Sequence, residues 1–298
     1  MMKHIVIFCL LMTGFVSLSA QEKKEIIAPG AKVERLAENF RFTEGPAVDK
    51  KGNVYFTDQP NNRILKWAVD GGLTVFHENP GRANGLYFDK KGKLISCSDE
   101  DNEIWSFNEN GEHTVLVSGF DGKKLNGPND LWIRPDGGIY FTDPLYARDY
   151  WKRSPEMQQE GECVYFFSPD RNQVVKIAAD LEKPNGIIGA PDGKLLYIAD
   201  IKANKTYVYE TLPDGSLANK KLFAPLGSDG MTIDKDGNVY LTGKGVTVFN
   251  SRGEKIEHIP VDANWTANVC FGGKDMKTLF ITASQYLYSL KMNVEGVR

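Results

Sequence analysis

The sequence predicts an all-β fold, a six-bladed β-propeller. A strand-forming motif recurs six times, the copies are spaced about one propeller blade apart, and no amphipathic helix of useful length competes with them.

Each copy begins at a polar or acidic turn, passes through Gly into a short β-favouring run, and ends in Thr, Ala or Ser and often Asp. The first three are Gly52-Asn53-Val54-Tyr55-Phe56-Thr57-Asp58, Gly92-Lys93-Leu94-Ile95-Ser96-Cys97-Ser98-Asp99 and Gly137-Gly138-Ile139-Tyr140-Phe141-Thr142-Asp143. Then come Gly193-Lys194-Leu195-Leu196-Tyr197-Ile198-Ala199-Asp200, Gly237-Asn238-Val239-Tyr240-Leu241-Thr242, and a weaker copy over Met276 to Ala283. Successive starts lie 40, 45, 56, 44 and 39 residues apart. Most copies are followed by a second run ending on an aromatic or apolar residue, such as Arg63-Ile64-Leu65-Lys66-Trp67 or Cys163-Val164-Tyr165-Phe166-Phe167, which is the strand-turn-strand grammar of a blade. The long third step holds an insertion from Tyr146 to Gly161, rich in aromatic and charged residues; it reads equally as a surface excursion or as a lid over the central opening. A propeller must hide its sheet edges, so the segment from Gln21 to Phe40 is expected to lend a closing strand to the last blade.

Residues 1–20 differ in kind. Lys3 and His4 precede an apolar run from Ile5 to Val16, then come Ser17 to Ala20 and a charged stretch, the pattern of a cleaved secretory signal and too short to span a membrane. The expected product is an exported protein, periplasmic or secreted, with no membrane contact after cleavage and a propeller domain over residues 21–298. Cys9 would leave with the signal. Cys97, Cys163 and Cys270 stand in no C-x-x-C pair and read as small buried hydrophobes. With 36 basic against 39 acidic residues and a net charge of -3, the chain lacks the basic footprint of a nucleic-acid binder. Oligomeric state leaves no sequence signal.

Eight residues ahead of the six copies stand Glu44, Asn84, Asn129, Asn185, Asp229 and Asn268, every one an oxygen donor. Equal phase in a repeat means equal place in each blade, so these side chains are expected to meet around the pseudo-symmetry axis. Asn-Gly and Asp-Gly are also common turn dipeptides, which is the competing reading for any single copy. Six in register, one of them a Glu without that turn preference, favour a site. Two carboxylates among four amides are costly to bury unpaired, and a hard divalent cation removes the cost. Oxygen donors favour Ca²⁺, admit Mg²⁺ or Mn²⁺, and suit Zn²⁺ less. The fold class thus becomes a six-bladed propeller with a central metal site. His77, His113 and His258 fall outside the ring phase.

The strings Phe42-Thr43-Glu44-Gly45-Pro46, Leu125-Asn126-Gly127-Pro128-Asn129-Asp130, Tyr140-Phe141-Thr142-Asp143-Pro144, Pro184-Asn185-Gly186 and Ser228-Asp229-Gly230-Met231 resemble the SMP-30/gluconolactonase/luciferin-regenerating-enzyme-like group of propeller hydrolases. The resemblance runs from about Phe40 to Leu290. It implies one catalytic divalent cation, commonly Ca²⁺, held by Glu44, Asn185 and Asp229, with Asn129 a fourth ligand or a substrate contact. Asn84 and Asn268 are then substrate contacts or turns. The implied reaction opens a sugar-derived lactone, a small-molecule substrate, with the metal polarising the carbonyl and Asp229 as base. That base role is in tension with metal ligation, because a bound cation lowers a carboxylate's pKa.

The best-known animal member carries an Arg where this chain has Gly127, so its substrate preference does not transfer. Arg82 and the insertion are the candidate substitutes. Two other readings stay open: hydrolysis of another ester or a phosphotriester at the same centre, and a non-catalytic binding propeller. No G-x-S-x-G or other classical nucleophile motif is present.

Overall fold

The computed structural model describes residues 25–297, and the expected signal over residues 1–20 lies outside them. Among the described residues, four-stranded antiparallel sheets form six blades that span residues 43–78, 83–117, 131–178, 184–224, 231–259 and 266–291. The first five each run in chain order from the centre outward. The sixth takes its outermost strand, Glu34–Ala37, from the N-terminal segment, which pairs Glu34 with Ser289 and closes the ring as expected.

The six motif copies are the second strands: Val54–Asp58, Leu94–Ser98, Ile139–Asp143, Leu195–Asp200, Val239–Gly243 and Thr278–Ala283. Nearly every residue in them is buried, because each blade packs on a neighbour through both faces; this is why they read as continuous apolar runs rather than as alternation. Tyr at one phase of the motif bridges blades: Tyr55 meets Phe88 of the next inner strand edge-on at 5.1 Å between ring centres, and Tyr240 meets Phe271 at 5.2 Å. Cys97, Cys163 and Cys270 are free and buried in these layers.

The turn ahead of each motif is a hairpin held by an acidic side chain. Asp49 Oδ1 accepts from the Lys51 and Asn53 amides at 2.8 and 2.9 Å, and Gly52 supplies the left-handed residue at φ +91°. Asp234 repeats this with the Asp236 and Asn238 amides at 3.0 and 2.9 Å.

The Thr and Asp that end the motif act at the centre. Thr57 Oγ1 donates to Asn84 O at 3.2 Å, Thr242 Oγ1 to Ala267 O at 2.7 Å and Thr282 Oγ1 to Asn268 O at 3.1 Å, so these hydroxyls hold the chain at or beside a ring residue. Asp58 accepts the Arg41 and Phe42 amides, Asp143 those of Asn126 and Gly127, and Asp200 those of Glu182 and Lys183. In each case the two amides lie three and two residues before the ring residue of that blade. The Asp therefore fixes the loop that delivers Glu44, Asn129 or Asn185. In the second blade the register position opposite Ala83 belongs to Ser98, which leaves Asp99 for another task.

Candidate metal centre and its cover

The six phased residues come together in blade order. Four of them press on the next through the glycine that follows: a Cβ on Gly85 would lie 2.7 Å from Asn129 O, one on Gly186 would lie 2.9 Å from Asp229 O, and one on Gly230 would overlap the Asn268 amide. Gly45 abuts Asn84 O in the same way. These glycines serve close approach between blades. The turn reading of the Asn-Gly dipeptides fails at Asn84 and Asn185, which lie within the inner strands Ala83–Phe88 and Pro184–Gly189.

Glu44 is buried, and Gly45 N donates to its Oε2 at 3.0 Å. Asp229 accepts from Asn185 Nδ2 through Oδ1 at 2.8 Å and from Trp265 Nε1 through Oδ2 at 2.6 Å. Burial and then the charge of Asp229 hold the Glu44 carboxyl well above its ordinary range; burial also raises Asp229, opposed by the Trp265 and Asn185 hydrogen bonds. The two acids repel each other, and the Arg148 charge eases both.

A divalent cation fits this set. With its Nδ2 donating to Asp229 and to Tyr146 Oη at 2.8 Å, Asn185 has its amide orientation fixed, and its Oδ1 is buried without a hydrogen-bond partner. Asn84 Oδ1 is likewise buried and unpartnered. Unmet oxygens beside repelling carboxylates are donors that want a cation. Among the described residues, no three His, Cys, Asp or Glu side chains form a metal-binding group; the ring instead combines two carboxylates with amide oxygens. Asn129 is buried in the ring, and its carbonyl accepts from Gly85 N at 2.7 Å. The Asn268 amide is engaged with its own Val269 N at 2.8 Å and with Asp130 Oδ2 at 3.4 Å, so it braces the floor. Beyond that floor the channel continues as a cavity of about 1000 Å³ with apolar walls that include Val48, Leu86, Ile133 and Met231.

Tyr146→Phe removes the partner that turns the Asn185 amide. It is expected to lower Ca²⁺ affinity about tenfold in titration calorimetry; an unchanged affinity would mean that Asp229 alone orients Asn185.

The insertion lies across this end of the propeller. Tyr150 Oη donates to Gln59 Oε1 at 3.0 Å in the first blade, Lys152 N to Glu100 Oε1 at 2.6 Å in the second, and Tyr146 reaches Asn185 in the fourth. Its base is tied to Asn126, whose Oδ1 accepts the Gln158 and Gln159 amides, both at 2.9 Å. The lid alternative therefore describes its place. A Cβ on Gly127 would overlap Asp99 Oδ1 and approach Arg153 Nη2 to 2.9 Å, so a larger residue at position 127 would have to displace the ends of those two side chains. Asp99, freed from loop duty, pairs with that Arg153 at 3.6 Å and accepts from Gln59 Nε2 at 3.0 Å. Arg82 is similarly engaged, with Nε 3.2 Å from Glu100 and Nη1 donating to Pro60 O at 2.6 Å. Spacing marked the insertion that carries Tyr146 and Arg148 and the motif end at Asp99 without giving any of them these contacts, and it left Trp265 without a signal, because no other blade has a counterpart doing the same work. The three histidines lie on outer strands; His113 stacks on Trp105 at 3.8 Å.

Burial raises Asp99, Asp130 and Asp143 to about 7. Because these folded values lie above an unfolded value of about 3.9, the folded state holds more protons between them. Their contribution to stability is full below about pH 4 and is lost as pH rises through about 7. The metal-free protein is therefore expected to have a higher unfolding midpoint at about pH 5.5 than at about pH 8. A midpoint that climbs over that interval would contradict the buried-acid account.

The family model for the SMP-30/Gluconolactonase/LRE-like region matches residues 42–285. A gluconolactonase of Zymomonas mobilis is 29% identical over 301 aligned residues, which cover 91% of this chain and 84% of that protein. Regucalcin of Oryctolagus cuniculus is 22% identical and covers 84% and 85%. Among solved structures, a gluconolactonase from Xanthomonas campestris superposes with a TM-score of 0.84 at 29% identity, covering 89% of this chain and 91% of that one. A calcium-binding regucalcin from Agrobacterium tumefaciens superposes with a TM-score of 0.73 at 20% identity, covering 88% and 94%, a likeness of fold.

Proposed function

Since the chain belongs to the SMP-30/gluconolactonase/LRE-like family, we propose that it is a hydrolase that opens a sugar-derived lactone with one divalent cation, Ca²⁺ by preference. The carrying observation is that the buried Glu44 and the half-buried Asp229 repel each other beside an Asn185 Oδ1 that has no hydrogen-bond partner. Gluconolactonases among the relatives support a lactone as substrate, and one regucalcin described as calcium-binding agrees with a cation.

Glu44, Asn185 and Asp229 would hold the ion, with Asn129 and Asn84 in reach of the same space. When bound, the cation supplies a Lewis acid that draws charge from the lactone carbonyl. The protein's part is to position and to exclude water. Trp265 and Asn185 lock the Asp229 carboxylate by one hydrogen bond to each oxygen, leaving lone pairs free to take a proton from an attacking water. The water oxygen bonds to the carbonyl carbon, the ring C–O bond breaks, and the leaving alkoxide takes the proton that Asp229 accepted, which yields a hydroxy acid that releases H⁺ near neutral pH. The insertion shields the polarised centre, where low dielectric strengthens every charge contact.

Proton release from glucono-δ-lactone and other aldonolactones, corrected for spontaneous opening, tests this on wild type and Asp229→Asn. Catalysis that chelator removes and Ca²⁺ restores is expected for wild type. Asp229→Asn that still binds Ca²⁺ without turnover assigns the base. Bound metal with no turnover of any lactone would shift the reading to another ester or to ligand binding.

A further inference from the structure

Arg148 stands at the mouth of the ring without a partner that accounts for it. The neighbouring cations are engaged: Arg82 with Glu100 and Pro60 O, and Lys183 with Glu162 Oε1 and Leu145 O, both at 2.8 Å. Arg153 pairs with Asp99, donates to Asn126 O at 2.6 Å and lies 3.6 Å over the Trp151 ring. The Nε atoms of Arg82, Arg148 and Arg153 are all buried with no hydrogen-bond partner; Arg82 and Arg153 are held by the contacts above, whereas the Arg148 guanidinium carbon sits 5.1 Å from the centre of the Tyr146 ring. Its charge bears on Glu44, Asp229, Asp99 and Tyr150, which surround the mouth from the first, fifth and second blades and the insertion. None of these carboxylates forms an ion pair with it at 4 Å or less, whereas Asp99 forms one with Arg153.

A guanidinium offers a planar fork of donors matched to a carboxylate. Once a divalent cation balances Glu44 and Asp229, the Arg148 charge has no compensation from that pair, and a half-buried cation left so favours an anion over a neutral hydroxyl. We infer that the site selects lactones that carry a carboxylate away from the reacting carbonyl, such as aldaric or uronic acid lactones, with Arg148 as the group that binds it. This inference rests on the lactonase reading and assigns a substrate class to the same site. The neighbouring Tyr146 packs the guanidinium from one side, and Arg153 of the same insertion reaches the Gly127 position.

D-glucono-γ-lactone and D-glucaro-γ-lactone differ by a hydroxymethyl group against a carboxylate and make the test pair. KM of the wild type is expected to favour the charged lactone by about tenfold, the size of one charge-assisted hydrogen bond. Arg148→Gln is expected to bring the KM ratio near one, and Arg148→Lys to restore part of it. A second arm titrates D-glucuronate and D-glucose, neither a lactone, into the Ca²⁺-loaded protein by calorimetry, where an Arg148-dependent preference for glucuronate is expected. Lactones opened with no preference for charge, or with a preference that survives Arg148→Gln, would overturn the inference and leave the lactonase reading standing. Arg148-dependent binding of glucuronate without turnover of any lactone would do the reverse.

Discussion

Glu44→Gln is expected to lower Ca²⁺ affinity by more than about 100-fold, beyond the roughly 10- to 100-fold typical of changes around a metal ligand, and to end metal-dependent turnover with it. The same variant is expected to stabilise the metal-free protein by about 1 kcal/mol, because it removes a buried acid that a neighbouring carboxylate repels. Glu44 is held above the ordinary carboxyl range by burial and by Asp229, and a neutral amide of the same shape escapes both costs. The opposed signs make the test sharp. Titration calorimetry reads the first effect and thermal unfolding in chelator the second. Wild-type Ca²⁺ affinity in this variant would remove Glu44 from the metal centre, and a lower midpoint without metal would mean that its carboxylate is compensated by protein groups alone.

Gly45→Ala is expected to destabilise the fold by about 3 kcal/mol or more, the upper end of overpacking effects. Gly45 has φ +40°, in the left-handed region, and a Cβ there would overlap the Asn84 carbonyl oxygen and lie 2.8 Å from Gly85 Cα. Those are backbone atoms of the next blade, so no side-chain rotation relieves the contact. The first and second blades would have to separate at the ring, which also pulls Glu44 away from Asn84. Urea unfolding measures the loss. A change within about 0.5 kcal/mol, as at an ordinary surface site, would show that the blades are not in fixed contact there.

These two neighbours illustrate how the sequence can be read. Glu44 was legible because its phase recurs: six oxygen donors eight residues ahead of six strand motifs specify a ring before any coordinate is known. Gly45 was legible only as half of a dipeptide, and the obvious inference from Asn-Gly and Asp-Gly, a turn, was the wrong one at Asn84 and Asn185. Those glycines are small because another blade's backbone or amide stands where a Cβ would be, a contact between residues some forty positions apart. The Asp at the motif's end was visible as a pattern without a purpose. Its purpose, holding two amides just ahead of the ring residue, appears once the second strand is paired with the first.

Repetition is what let the sequence by itself determine the all-β class, the six blades, the closing strand before Phe40 and the residues of the ring. A repeated unit placed in a closed circle has no freedom to put its equivalent residues anywhere but around the axis. What only the tertiary structure decided is whatever occurs once. The insertion's path over the ring, Tyr146 turning the Asn185 amide, Trp265 holding Asp229, and the Asp99–Arg153 pair that fills the space at Gly127 have no second copy to compare. They are set by packing and hydrogen bonding across blades, and those are properties of distance in space, on which spacing along the chain is silent.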